Sequence, residues 1–361
     1  MTLATSPTGL ALAAQLDAAG QHEEAVNALA RGTMAGQLAC MAALGKRLLV
    51  GDRAPLLPAE AARLLHDAAR QGDADAAARM ASLSALGLYF RQSWDDALRW
   101  LLTAAERGWQ PAQAQLRALA GIDAAASGPA ASDWGHLAGT LDLARWRAPA
   151  PSRALSVDPV VRVLDQFVAP SICDWMVARA RPCLTRAQLY DPVRGRPVIG
   201  ETRTNSVANF NLAQIELTDV LLQARMADAC GVPMNHMEAM AALHYSVGEQ
   251  AAEHYDFVDP QTAGYAQELA RNGQRALTFL IYLNDDYEGG ETIFPTLQLS
   301  HKGHRGQGFF FVSASAELEP DRRVLHAGRP PTRGEKWIIS QFVRSRPTLV
   351  PIPSRAQYRA R

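Results

Sequence analysis

One segment near the N-terminus is written twice. Ala61-x-x-Leu64-Leu65-x-x-Ala68-Ala69-x-x-Gly72-x-x-x-Ala76 returns as Ala97-x-x-Trp100-Leu101-x-x-Ala104-Ala105-x-x-Gly108-x-x-x-Ala112, with every matched position displaced by 36 residues. A shorter echo runs from Ala25 to Gly32. Apolar residues at i, i+3, i+4 and i+7 share one face of a helix, and the glycine that follows each copy is a helix stop. A second helix begins near the next alanine and is expected to end at Leu44-Gly45 or Leu86-Gly87. That reading makes the first connection six residues longer, 27 from Gly45 to Gly72 against 21 from Gly87 to Gly108. A helix pair cannot bury its own apolar face, so neighbours must stack and an α-solenoid results. The abundance of alanine fits, since it is the best helix former and lets backbones approach. An irregular alanine-rich bundle is the alternative.

The pattern over residues 23–120 resembles Sel1-like repeats, relatives of the tetratricopeptide family. With 361 residues the chain has room for a second domain. Residues 1–125 are assigned to the repeats and 126–156, rich in Ala, Pro, Ser and Gly, to a linker with one helix near 137–146. Residues 157–347 form the second domain and 348–361 a basic tail with Arg355, Arg359 and Arg361. In the second domain, 170–180 and 217–230 read as helices. Short β-type runs follow at 240–245, 254–257, 277–284, 291–294, 308–312, 323–326 and 336–344, which suggests a sandwich or barrel. The expected fold is two-domain, α and α+β. Lys and Arg total 36 and Asp and Glu 36, so there is no basic surplus for nucleic acid. The four cysteines form no CxxC pair and suit a reducing compartment. Neither a signal peptide nor a spanning helix is legible, so the expectation is a cytoplasmic protein that engages no membrane.

Of nine histidines, His254 stands out because it forms His-Tyr-Asp with Asp256. Alternate residues of a strand point to one side, so an imidazole and a carboxylate would face the same interior, where an unpaired carboxylate is costly. His326 ends Arg-Val-Leu-His, and Lys336 heads Lys-Trp-Ile-Ile-Ser-Gln-Phe-Val. Two histidines and a carboxylate on one face of an octahedron suit a non-haem Fe(II) oxygenase. A dicarboxylate cosubstrate that chelates the metal at one end needs a cation, here Lys336, at the other.

These residues resemble those of the prolyl 4-hydroxylase-like branch of the 2-oxoglutarate/Fe(II) dioxygenases over residues 163–346. The matching text includes Gly200-Glu-Thr-Arg-Thr-Asn205, Leu243-His-Tyr-Ser-Val-Gly-Glu249, His254-Tyr-Asp256, Gly289-Gly-Glu-Thr-Ile-Phe-Pro295, Leu325-His-Ala-Gly328 and Gly334-Glu-Lys-Trp337. The resemblance implies a double-stranded β-helix, a jelly-roll relative with packing helices. It implies His254, Asp256 and His326 as catalytic iron ligands, Lys336, Tyr282 and Tyr245 as 2-oxoglutarate contacts and Arg203 as a substrate contact. It also implies Fe(II), 2-oxoglutarate and O2, with ascorbate as reductant. The implied reaction hydroxylates a C–H bond and releases succinate and CO2.

Three positions depart from the family: Ala251 stands where an aromatic is common, Phe342 where tryptophan is common, and Asn205 replaces a serine. The metal and cosubstrate sites therefore read as intact and the substrate pocket as altered. The target stays open between a prolyl or other residue of a protein or peptide, suspected to be held through the repeats, and a small molecule. An interaction protein with a ligand-sensing barrel is the rival from another class. His301 and His304 read as a solvated loop, and Trp337 as outer packing.

Overall fold

The computed structural model describes residues 8–122, 133–148, 151–191, 196–262 and 264–348. The basic tail beyond 348 and residues 126–132 of the expected linker lie outside the described residues. The repeats are α1 (Gly9–Ala18), α2 (His22–Met34), α3 (Leu38–Val50), α4 (Pro58–Gln71), α5 (Ala74–Leu86), α6 (Trp94–Glu106) and α7 (Gln110–Leu119). Antiparallel neighbours stack in sequence as a helical solenoid. The stop expected at Gly45 is overturned, because α3 runs through it and ends at Gly51, left-handed at φ 69°. Gly51 to Gly72 is then 21 residues, as is Gly87 to Gly108, and the repeat is regular. Gly45 has a packing role instead. A Cβ there would lie 2.9 Å from Leu65 Cγ, so bare backbone lets α4 close on α3.

The stretch expected as a linker carries α8 (Trp134–Gly139), α9 (Leu143–Arg147) and a strand, β1 (Arg153–Ser156). β1 pairs with β2 (Val161–Leu164), so the sheet of the second domain starts before residue 157. There follow α10 (Pro170–Ala180), β3 (Thr185–Arg186), β4 (Leu189–Asp191), β5 (Arg196–Val198), β6 (Ser206–Asn209) and α11 (Leu217–Cys230). Next come β7 (Ala241–Tyr245), β8 (Ala251–His254), α12 (Ala266–Asn272), β9 (Arg275–Tyr282) and β10 (Glu288–Gly289). The chain continues through β11 (Thr292–Phe294), β12 (Leu299–His301), β13 (Gly308–Val312), β14 (His326–Gly328), β15 (Pro331–Arg333) and β16 (Lys336–Arg344). Both helices and the last strand fall where the sequence puts them. Two strands do not. The one expected at 254–257 ends at His254, and the one expected at 323–326 begins at His326, after a 3-10 turn at Arg322–Val324 whose amide Arg323 N donates to Asp321 Oδ1.

The large sheet has the order β1-β2-β13-β9-β16-β7-β6-β3, and the small one β12-β11-β14-β8. Together they make the double-stranded β-helix. Alternation sends Val161, Val163, Leu243, Leu280, Phe309, Phe311 and Ile338 into the space between the sheets, against Phe294. The opposite face, with Phe279, Ile281, Phe310 and Ile339, joins α10, α11 and the repeats in one continuous apolar core. No helix among the described residues is long and apolar enough to cross a membrane.

The repeats are welded to the second domain. Arg79 of α5 is buried in an ion pair with Glu216, the N-cap of α11, and donates to the carbonyls of Ile215 and Ala213. Ser82 Oγ donates to the same Ile215 carbonyl at 2.8 Å. Gln115 of α7 donates to Glu216 Oε2 at 2.6 Å and accepts from Thr218. Ser171 of α10 donates to the Ala118 carbonyl at 2.8 Å. Each of these side chains is partnered, which offsets the cost of taking it out of water.

Candidate metal and cosubstrate site

β8 and β14 pair antiparallel with His254 opposite His326, so the two imidazoles are cross-strand neighbours with ring centroids 4.3 Å apart. Asp256 lies beyond the end of β8. A bend, not strand alternation, brings its carboxylate back between the rings. Oδ1 is 3.4 Å from His254 Nε2, and Oδ2 is 3.4 Å from His326 Nε2. Each imidazole is held through its other nitrogen: His254 Nδ1 donates to the Ala252 carbonyl at 2.7 Å and His326 Nδ1 to the Val324 carbonyl at 3.0 Å. With Nδ1 so held, each Nε2 is turned toward Asp256, the second-sphere arrangement typical of metal-ligating histidines. Thr278 Oγ1 donates to Asp256 Oδ2 at 2.7 Å. Phe294 and Phe311 flank His326, with centroids at 5.4 and 4.8 Å.

Burial alone would raise the Asp256 carboxyl. The facing His326 and His254 imidazoles overcome it and hold the group well below the usual carboxylate range. Burial opposes charge on His254, but the Asp256 carboxylate outweighs it and raises that imidazole. A metal about 2.1 Å from two adjacent donors would set them roughly 3 Å apart. Asp256 oxygens 3.4 Å from each imidazole nitrogen, with all three donors within 4.8 Å of one another, fit such an ion. Among the described residues this triad is the one group of His, Cys, Asp or Glu donors arranged to hold a metal.

Lys336 opens β16 opposite Tyr245 of β7. Its side chain is 1 % exposed, and its ammonium donates to the Gly290 carbonyl at 2.8 Å. The ammonium stands 5.4 and 5.6 Å from the ring centroids of Tyr245 and Tyr282. Among the described residues no carboxylate forms an ion pair with it. Burial pulls its pKa down to about 8, weakly opposed by Glu291. Tyr282 is fully buried, and its hydroxyl shares a 3.0 Å hydrogen bond with Thr292 Oγ1. Tyr245 reaches toward β14, where a Cβ on Gly328 would lie 3.7 Å from its hydroxyl. Lys336 and the two phenols thus cluster between the two sheets, and Tyr245 reaches the strand that carries His326.

Arg203 bridges to Ala251 at the edge of the small sheet, three residues before His254. Its Nε donates to Asn205 Oδ1 at 3.0 Å, and Asn205, fully buried, donates to the Ser206 carbonyl. Asn205 therefore aims the arginine, a role the sequence did not disclose. On the inner face Phe342 sits opposite Thr278 and lies under the Arg275 guanidinium at 3.9 Å, which Glu238 grips at 2.7 and 2.9 Å. A groove of about 400 Å³ opens between these points, lined by Arg186, Arg203, Val207, Asn209, Leu243 and Phe342 among others. His301 departs from expectation. It closes β12, stacks on Phe309 at 5.0 Å and bonds Gln307 at 2.8 Å, while His304 is exposed. Trp337 points to the outer face under Arg181, as strand parity requires. Thr278 and Thr292 were missed as site residues; strand parity with Tyr282 and Phe294 was the available signal.

Residues 240–344 match the family model described as the 2OG-Fe(II) oxygenase superfamily. That match and the relatives indicate a 2-oxoglutarate Fe(II) oxygenase of prolyl 4-hydroxylase type. A relative, probable prolyl 4-hydroxylase 3 of Arabidopsis thaliana, is 29% identical over 212 residues, which is 53% of this chain and 71% of the relative. The viral collagen prolyl hydroxylase of Paramecium Bursaria Chlorella virus-1 is 25% identical, covering 51% of this chain and 94% of that one at a TM-score of 0.40. A Sel1 repeat protein from Oxalobacter formigenes is 20% identical, covering 38% and 60% of the two chains at a TM-score of 0.30. The oxygenase uses Fe(II), 2-oxoglutarate and O2.

Proposed function

We propose that the protein hydroxylates a C–H bond in a residue, prolyl or other, of a protein or peptide, converting 2-oxoglutarate to succinate and CO2. The observation that carries this is the buried Lys336 ammonium, which has no carboxylate in ion-pair contact among the described residues and lies between the two sheets beside Tyr245, whose hydroxyl approaches the strand of His326. A buried cation left without an anion is costly; a ligand carboxylate supplies one. In this reading the triad holds Fe(II), which supplies the binding and activation of O2. The carbonyls of Ala252 and Val324 fix the imidazole rings, and Thr278 fixes the carboxylate. Lys336 and Tyr282 receive the far carboxylate of 2-oxoglutarate, with Tyr245 beside them. Phe294 and Phe311 exclude water from the His326 side. Arg203 contacts the substrate at the groove.

A non-prolyl target is the second reading, favoured by Ala251 and by Phe342 capped with Arg275 at the groove. The test is succinate production from 2-oxoglutarate with a panel of peptides, proline-rich and proline-free, followed by mass spectrometry for the gain of one oxygen atom. Wild-type protein with Fe(II) should release succinate and His326→Ala should not. Succinate release that is equal in both would overturn the reading.

A further inference from the structure

The groove has two halves of different origin. Leu243, Ser340, Phe342 and Arg275 stand on central strands β7, β16 and β9, whereas Thr185 and Arg186 of β3 and Val207 and Asn209 of β6 stand on the two outermost strands at one edge of the large sheet. β3 has a neighbour on one side only, and β6 is paired with β7 along its length but with β3 only at Ser206 and Val207, so the end of β6 at Ala208 and Asn209 also has one neighbour and its position depends on what holds the chain that follows. β6 runs into residues 210–216, and that connection is laced from two directions. From the repeats, Arg79 donates to the Ala213 and Ile215 carbonyls and pairs with Glu216, Ser82 donates to the Ile215 carbonyl, and Gln115 donates to Glu216. From α10, Arg179 lies over the Phe210 ring at 3.8 Å, donates to the Gln214 carbonyl at 2.6 Å and pairs with Asp219 at 2.7 Å. β3 follows directly on α10, which is itself tied to α7 through Ser171 and the Ala118 carbonyl. The triad and Lys336, by contrast, stand on the small sheet, the bend that follows β8 and the central strands, and none of these clamps touches them.

We infer that the repeat domain positions the substrate groove of the oxygenase: Arg79, Ser82 and Gln115, acting through Ile215 and Glu216, set where Val207 and Asn209 stand. These three are positioning residues and contact neither metal nor cosubstrate. The inference deepens the proposed function, since the groove it concerns is the one assigned there to the substrate. It gives the repeats a fixed task, holding half of the substrate surface. Anything that bends the solenoid at α5 or α7 would reach the groove before it reached the metal.

The experiment is amide hydrogen exchange on the full chain, wild type against Arg79→Met, Arg79→Lys and Ser82→Ala, beside anaerobic titration of the Fe(II)-loaded proteins with 2-oxoglutarate. Opening free energies are local, so exchange reports which elements loosen. With Arg79→Met, amides of β3, β6 and 210–216 should exchange at least about tenfold faster, those of β8, β9, β14 and β16 within about twofold of wild type, and 2-oxoglutarate should titrate as in wild type. Arg79→Lys should recover part of the protection, because it restores a cation beside Glu216. Should Arg79→Met not fold, Ser82→Ala removes a single hydrogen bond and should speed exchange in 210–216 by about 2- to 10-fold. Exchange that rises equally in every strand, or that stays at wild-type levels in β3 and β6, overturns the inference. A wild-type protein that does not bind 2-oxoglutarate would refute the proposed function instead, and the exchange pattern would still decide the coupling.

Discussion

Among the buried cations of the described residues, Arg79 and Lys336 are treated in opposite ways. At the junction of repeats and barrel, Arg79 has a carboxylate, Glu216, and backbone carbonyls around its guanidinium. Inside the barrel, Lys336 has one carbonyl, that of Gly290, and no carboxylate in ion-pair contact among the described residues. The guanidinium is planar and always charged, and its fork can serve several acceptors together. It suits a permanent joint. The lysine ammonium is a compact charge whose pKa moves when buried, and here it has come down to about 8. The contrast teaches how to tell a structural charge from a functional one: the first is satisfied by its own chain, the second is left for a ligand. Asp256 is a third case, a buried carboxylate faced by two imidazoles that a metal can displace from their contact with it.

Four changes test that contrast. Removing a triad donor should have the largest effect: His326→Ala should abolish iron binding and turnover while the chain still melts cooperatively, checked by metal analysis and calorimetry. If the variant retained wild-type iron and activity, the site would lie elsewhere. Next is the joint. Arg79→Met strands a buried carboxylate, and breaking a buried pair by removing one partner costs about 3–5 kcal/mol, a loss confined to the joint and read as faster amide exchange in 210–216 while the barrel strands keep their protection.

Lys336→Met should do the reverse to stability. A lysine whose folded pKa is about 8, below the unfolded value of about 10.4, binds fewer protons folded than unfolded between those pH values. Stability in the ligand-free protein therefore rises with pH across that window. Below it the charged lysine is a net cost, so Lys336→Met should raise the melting temperature at pH 7 and remove that pH dependence. It should also weaken 2-oxoglutarate by about 10- to 150-fold, from about 1.5–3 kcal/mol for a hydrogen bond to a charged group. In the wild type, 2-oxoglutarate affinity should decline above pH 8 as the ammonium loses its proton. A variant that melted lower and bound 2-oxoglutarate normally would show Lys336 to be a structural charge like Arg79. The smallest effect is that of Tyr282→Phe, which removes one neutral hydroxyl and should weaken 2-oxoglutarate by about 2- to 10-fold, measured by the same anaerobic titration.

Much of this was open to reading in the chain itself. The helix pairs follow from apolar spacing and recurrent glycines, because both are local patterns that one helix face must satisfy. α10, α11 and β16 lie where their periodicity and flanking residues put them. His254, Asp256, His326 and Lys336 were legible as residue types whose chemistry has few other uses in that pattern. What required the tertiary structure has no local signature. Arg79 and Glu216 are 137 residues apart in the chain, and nothing around Arg79 in the sequence distinguishes it from the arginines exposed on neighbouring helices. Asp256 reaches its place through a bend after β8, where strand alternation alone predicted a strand. Asn205 and Thr292 look like ordinary loop and strand residues until the sheets bring them against Arg203 and Tyr282. Periodicity is a property of neighbours along the chain, whereas the partner of a buried charge is decided by which distant surfaces lose water together.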